Sequence, residues 1–237
     1  MCCYHGAADC FKFIRTEFNS EINQSCLKLS FLGGNSEIIS ECLKYSSVRD
    51  CMEYAIISHN IDFVTFLMNE YHIKIDLEYC GKYNNLEPFL VYFDQTNDIN
   101  KCFIYSSIFD ISSICEYFLS NGANINEKDK FGLTALHNAA EYNCKETAEL
   151  LISHGANANE KNNSGETLLH IAANFDCKEN AELLISHGAN VNEKDNSGET
   201  PFLIAANYNR KEVAEFFISH GANINEKDIN GKLLFII

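Results

Sequence analysis

The sequence predicts an all-α solenoid of stacked helix pairs. Three observations carry this expectation. The triplet Gly-Ala-Asn recurs at Gly122, Gly155, Gly188 and Gly221, 33 residues apart each time. In that register, residues 129–161, 162–194 and 195–227 form three full units. The first and second agree at 22 of 33 positions, and so do the second and third. A unit this short cannot bury its own apolar face, so neighbours must stack. The chain also holds only two prolines, Pro88 and Pro201, in 237 residues. That suits helices, because proline lacks an N–H and clashes with the preceding turn.

Each element of the unit follows from its residue types. Thr134, Thr167 and Thr200 are placed as N-caps, where a hydroxyl accepts from an orphan N–H. Pro201 falls at the first helical position, which needs no N–H. The pairs Ala139-Ala140, Ala172-Ala173 and Ala205-Ala206 let the first helix approach its neighbours closely. Leu150, Leu151 and Ile152 supply the apolar face of the second helix. Gly155, Gly188 and Gly221 suit the left-handed residue that ends it. The polar run 157–164 reads as a hairpin-like excursion before Gly165 opens the next unit.

The motifs Gly132-Leu133-Thr134-Ala135-Leu136-His137-Asn138-Ala139-Ala140 and Glu149-Leu150-Leu151-Ile152-Ser153-His154-Gly155-Ala156-Asn157 resemble the ankyrin repeat. The next unit repeats them from Gly165, and the third keeps Thr200-Pro201 but has Leu203 where the family histidine would stand. The expected fold is therefore an ankyrin-repeat solenoid with short β-hairpin-like loops. The resemblance also implies that His137 and His170 are structural, bonding within the hairpin–helix junction.

The register continues upstream into 96–128, a degenerate repeat. It keeps the ending from Gly122 to Lys128, but Ile99-Asn100-Lys101-Cys102-Phe103 replaces the cap motif. Further upstream, Cys102–Ser106 aligns with Cys51–Ala55. The excess length is read as an insertion near 79–94, with a short buried stretch at Leu86–Phe93. Cys51–Met68 aligns with Cys26–Leu43 at an offset of 25, about one unit without its hairpin, so tight loops are expected. Gly6–Arg15 reads as the tail of an earlier pair. Residues 1–95 thus form one degenerate helical module. It is similar to the module that precedes regular repeats in large protist ankyrin families, and that resemblance brings no activity with it. Residues 228–237 begin a further unit and end Leu233-Leu234-Phe235-Ile236-Ile237. Solenoids normally close with polar capping repeats, so a fragment or truncated family member is expected.

Charge removes several functions. With 33 acidic against 18 basic side chains, the net charge is −15. The acidity is spread evenly: 17 acids and 9 bases over 1–128, then 15 and 8 over 129–227. Nucleic-acid binding needs a surplus of Lys and Arg on one face, and an anionic membrane surface needs the same. No apolar run approaches the ~20 residues of a spanning helix, and the N-terminus has no signal-peptide pattern. Eleven cysteines without a signal peptide point to free, mostly buried thiols in a reducing interior. The expected location is the cytoplasm, with the nucleus left open.

No catalytic constellation is present. G-x-S-x-G, H-E-x-x-H, Walker and dinucleotide motifs are all missing. His154, His187 and His220 form a column, but stacked elements sit roughly 8–10 Å apart and zinc needs ligands ~2 Å from one ion. The same separation argues against a Cys144–Cys177 bridge. No cofactor, metal or small-molecule substrate is expected. The columns Glu146/Glu179/Glu212 and Glu149/Glu182/Glu215, beside Lys145/Lys178/Lys211, read as a solvated outer face of the second helices.

The ankyrin resemblance implies a non-catalytic protein–protein interaction scaffold. The partner protein would lie on the concave face, lined by hairpin tips and the exposed ends of the first helices. The position two after Ala-Ala gives Phe109, Tyr142, Phe175 and Tyr208, an aromatic ladder suited to interface anchors. The same rings could instead pack between first helices and only shape the stack. The tips supply Phe131, Ser164 and Ser197, with Leu133, Glu166 and Glu199 beside them. The rival reading is a structural spacer, or a truncated piece of a larger repeat protein, without its own specific partner.

Overall fold

The computed structural model describes residues 1–226, and the regular elements among them are helices. One antiparallel bridge, between Lys161 and Thr167, is all the β pairing that the described hairpins contain. The expected all-α repeat architecture is therefore observed. Among the described residues no helix is long and apolar enough to cross a membrane. The chain divides into two compact units, Met1–Asn97 and the segment from Asp98 onward.

The first unit starts with α1 (Ala8–Phe18) and continues with three helix pairs. These are α2 (Gln24–Gly33) with α3 (Ser36–Leu43), α4 (Met52–Ile57) with α5 (Ile61–Tyr71), and α6 (Leu77–Lys82) with α7 (Leu86–Thr96). The first helices pack in a row, α2 on α4 and α4 on α6, while α5 packs on α7. Asn35 and Asn60 open the second helices of their pairs, accepting from the N–H groups of Glu37 and Asp62. Leu27, Phe31, Ile38, Ala55, Ile56, Val64, Leu67 and Phe89 form its core.

The stretch 79–94, expected as an insertion, carries the last part of α6 and most of α7, which together form a helix pair of their own. The turn within each pair sits on one left-handed residue: Gly34, His59 and Asn84, each 25 residues after the last. The pairs repeat at this shorter period because no hairpin excursion separates them. The offset between Cys51 and Cys102 is thus two short units rather than one long one. Close backbone contact also fixes the N-terminus. A Cβ on Gly33 would collide with the carbonyl oxygen of Cys3, so only glycine fits there.

The second unit has four pairs. They are α8 (Ile99–Ser106) with α9 (Ser112–Ser120), α10 (Ala135–Glu141) with α11 (Lys145–Ser153), α12 (Leu168–Phe175) with α13 (Lys178–Ser186), and α14 (Pro201–Asn207) with α15 (Lys211–Ser219). First helices pack on first helices (α8, α10, α12, α14), and second helices on second helices (α9, α11, α13, α15). Thr134 accepts from the N–H of His137 at 3.4 Å and Thr200 from that of Leu203 at 3.3 Å, as N-caps. Gly155, Gly188 and Gly221 take φ of 90°, 82° and 87° just past the second helices. Residues 228–237, expected to begin a further unit, lie outside the described residues.

Most cysteines serve as small core residues. Eight are buried, Cys2 and Cys26 are intermediate, and Cys10 is exposed. Burial pushes the thiols of Cys42, Cys80, Cys102 and Cys144 up to about 12, which keeps them protonated and unreactive.

Candidate partner-binding face

The hairpin tips of the second unit are set by one acceptor per repeat. Asp129 accepts through Oδ1 from the N–H groups of Phe131 and Leu133, both at 2.8 Å. Asn162 does the same for Ser164 and Glu166 at 3.0 Å, and Asp195 for Ser197 and Glu199 at 2.8 Å. These three clamps hold the backbone of every tip residue predicted from sequence. The clamping residues were not among those singled out there. Their signal was present, an Asp or Asn three residues before the glycine of each Gly-x-Thr.

The tips are also linked to one another. The N–H of Asn163 donates to the carbonyl of Phe131 at 3.0 Å, and its side-chain amide donates to that of Lys130 at 3.1 Å. Asn196 repeats both bonds onto Ser164 and Asn163. Lys128, Lys161 and Lys194 reach Glu160, Glu193 and Glu226 of the following repeat at 2.6, 2.7 and 2.6 Å. Hydrogen bonding to these lysines holds the three carboxyls below the usual range.

On this frame the predicted residues differ in exposure. Phe131 is 55% exposed, Phe175 45% and Tyr208 59%. Ser164 and Ser197 are exposed, and Leu133, Glu166, Glu199 and Tyr142 are half-buried. Phe109 is buried, in a short 3-10 turn at Ser107–Phe109 that extends α8 and packs on α10. The column 109/142/175/208 is therefore one row with an inner end and an outer end. Lys130 lies over the Phe131 ring at 4.7 Å, a cation–π contact at the tip.

The histidines have structural partners. Thr134 and Thr167 donate their N–H groups to Nδ1 of His137 and His170 at 3.1 and 3.0 Å. His170 also donates Nε2–H to the carbonyl of Glu199 in the next hairpin at 3.0 Å. His154, His187 and His220 donate Nδ1–H to the carbonyls of Leu150, Leu183 and Phe216 at 2.9, 2.9 and 2.8 Å, closing their own helices. On the second helices, Lys145, Lys178 and Lys211 lie 3.8, 3.9 and 3.8 Å from Glu149, Glu182 and Glu215.

Helix pairs stacked at a 33-residue period, Thr–His junctions and clamped tips define a helical repeat protein of the hairpin-and-two-helix class. A family model of ankyrin repeats (three copies) matches residues 103–195 and 165–228, together more than half of the chain. The chain belongs to the ankyrin-repeat family, whose repeats are protein–protein interaction modules. Ahead of them, residues 18–92 match a domain of unknown function, DUF3447, so a distinct N-terminal module precedes the repeats. No curated protein is significantly similar to the chain.

Proposed function

We propose that this protein is a non-catalytic interaction scaffold. It takes a partner protein on the face made by the hairpin tips and first-helix ends of its second unit. The observation that carries the reading is the exposure of Phe131, Phe175 and Tyr208 on a frame fixed by hydrogen bonds. Large rings held in water by a rigid scaffold lose little further entropy on binding, and they are typical interface anchors. Tyr142 stands half-covered beside them, and Leu133, Ser164, Glu166, Ser197 and Glu199 complete the contact surface. Phe109, buried in the turn that packs on α10, is not part of that exposed surface.

The net charge of −15 favours a protein partner over nucleic acid or an anionic membrane surface. A reducing compartment, the cytoplasm first of all, suits a chain whose many thiols serve as core residues. The test is to identify a partner by crosslinking and then change Tyr142, Phe175 and Tyr208 together to alanine. Binding is expected to fall by about 2 kcal/mol or more with helical content unchanged by circular dichroism. Undiminished binding rejects the face, and failure to find any saturable partner favours the spacer reading.

A further inference from the structure

We propose that Cys26 and Cys3 form a thiol–disulfide exchange site in the first unit, which takes small disulfides and closes to a bond that latches α1 in place. Three thiols from three elements meet there. The thiol of Cys3, on the segment before α1, is within hydrogen-bonding reach of those of Cys26 on α2 and Cys42 on α3. Backbone packing holds that segment. The carbonyl of Cys3 lies against Gly33, and Asn35 donates its side-chain amide to the carbonyl of Gly6 at 3.2 Å. Sulfurs in such contact can reach the ~2 Å of a disulfide through small adjustments of the segment and the side chains.

The three thiols differ in access. Cys3 and Cys26 line a solvent-open cavity of about 140 Å³ together with Phe11, Arg15 and Glu21. Cys26 is half-buried, whereas Cys3 and Cys42 are buried. A small disulfide therefore meets Cys26 first. Burial raises the Cys3 thiol, so it is a poor attacker of oxidants in bulk water. It needs no such access, because its target would already sit beside it, and proximity offsets a small thiolate fraction.

The chemistry balances. The Cys26 thiolate attacks one sulfur of the small disulfide and displaces one thiolate. The Cys3 thiolate then attacks the Cys26 sulfur of the mixed disulfide and displaces the second. Two protein thiols are oxidised, the small disulfide is reduced to two thiols, and both protons pass to them. The new bond closes a loop that contains all of α1. That helix buries none of its own residues and is tied to α3 by the ion pairs Lys12–Glu37 at 2.6 Å and Arg15–Glu41 at 2.9 Å. A covalent closure around so lightly held a helix restricts its release.

The experiment incubates the reduced full chain with oxidised glutathione, alkylates the remaining thiols and maps tryptic peptides by mass spectrometry. The expected product joins peptides 1–12 and 16–28 through Cys3 and Cys26, with no glutathione on either. Cys3→Ser should stop at the mixed disulfide, with glutathione held on Cys26. Cys26→Ser should slow the oxidation of Cys3 by about tenfold or more. Cys2→Ser and Cys10→Ser should give the native product at the native rate. A bond through Cys2, Cys10 or Cys42 in place of Cys3, or glutathione that persists on Cys26 of the native chain, overturns the site, as does a Cys26 that does not react. For the latch, native-state trypsin should cut the oxidised chain at Lys12 and Arg15 about tenfold more slowly than the reduced chain. Dithiothreitol should restore the rate, and Cys3→Ser should show no difference. Equal cutting of the oxidised and reduced chains overturns the latch.

Discussion

The side-chain amide of Asn180 on α13 donates to the carbonyl of Ala139 on α10 at 2.9 Å, and both residues are buried. The bond ties the second helix of one repeat to the first helix of the repeat before it. The same column holds Thr147, which bonds Asp110 at 3.1 Å, and Val213, which is fully buried without a polar atom. Asn180 Oδ1 is buried with no hydrogen-bond partner. The carbonyl of Ala139 also accepts from the N–H of Cys144 at 2.9 Å, so it keeps a partner when the amide is removed. Asn180→Val should therefore stabilise the chain by about 1 kcal/mol, the relief of a buried orphan acceptor. Asn180→Asp should cost about 3 kcal/mol, because it buries a charge and deletes the donor. Urea midpoints of the two variants check the opposite signs.

Burial pushes the imidazole of His137 down from 6.5 to about 4, and burial lowers His170 as well. A group whose folded value lies below its unfolded value contributes its full stability above the unfolded value. That contribution is lost as pH falls toward the folded value. For His137 the window runs from 6.5 down to about 4, and the loss is on the order of 3 kcal/mol. Leu203 occupies the equivalent place in the third repeat and is buried. His137→Leu should flatten the urea midpoint between pH 7 and 4.5 relative to the native chain. An unchanged slope would remove the histidine from the account.

Gly165 takes φ of 76°, and a Cβ there would collide with Oδ1 of Asn196 in the next tip. Gly155 takes φ of 90° but faces open space. Both positions strain an alanine through the backbone, at about 1 kcal/mol. Only Gly165→Ala also displaces the Asn196 bond to Asn163. It should cost about 1 kcal/mol more than Gly155→Ala and weaken partner binding, while Gly155→Ala should leave binding unchanged. Thermal unfolding and the binding assay separate the two effects.

The regular repeats were legible because their junctions use specific hydrogen bonds, and those bonds need particular residues. Thr134 with His137 and Thr167 with His170 can be read as letters. The pair α6–α7 was not legible in that way. Its core residues Leu77, Cys80 and Phe89 match Met52, Ala55 and Val64 of the preceding pair only in being apolar, and its turn residue is Asn84 where the earlier pairs have His59 and Gly34. The position of the aromatic row was legible, but its exposure was not. The 3-10 turn that buries Phe109 is a matter of packing on α10, which no residue in the column announces.

The turn residues that hid the short period also give a direct test of it. Non-glycine residues with left-handed φ join the helices at His59, Asn84, Asp110, Asn143, Asp176 and Asn209. Left-handed backbone crowds a Cβ against the carbonyl, and Asn and Asp tolerate this better than other residues. Glycine has no such penalty, although it loses more freedom on folding. Asn84→Gly and Asn209→Gly should therefore be neutral or stabilising by about 0.5 kcal/mol, and Asn84→Val and Asn209→Val destabilising by about 2 kcal/mol. If 79–94 were an irregular insertion, Asn84→Val would be tolerated as surface substitutions are. A loss at Asn84 matching that at Asn209 in urea titrations is the result expected of a true helix-pair turn.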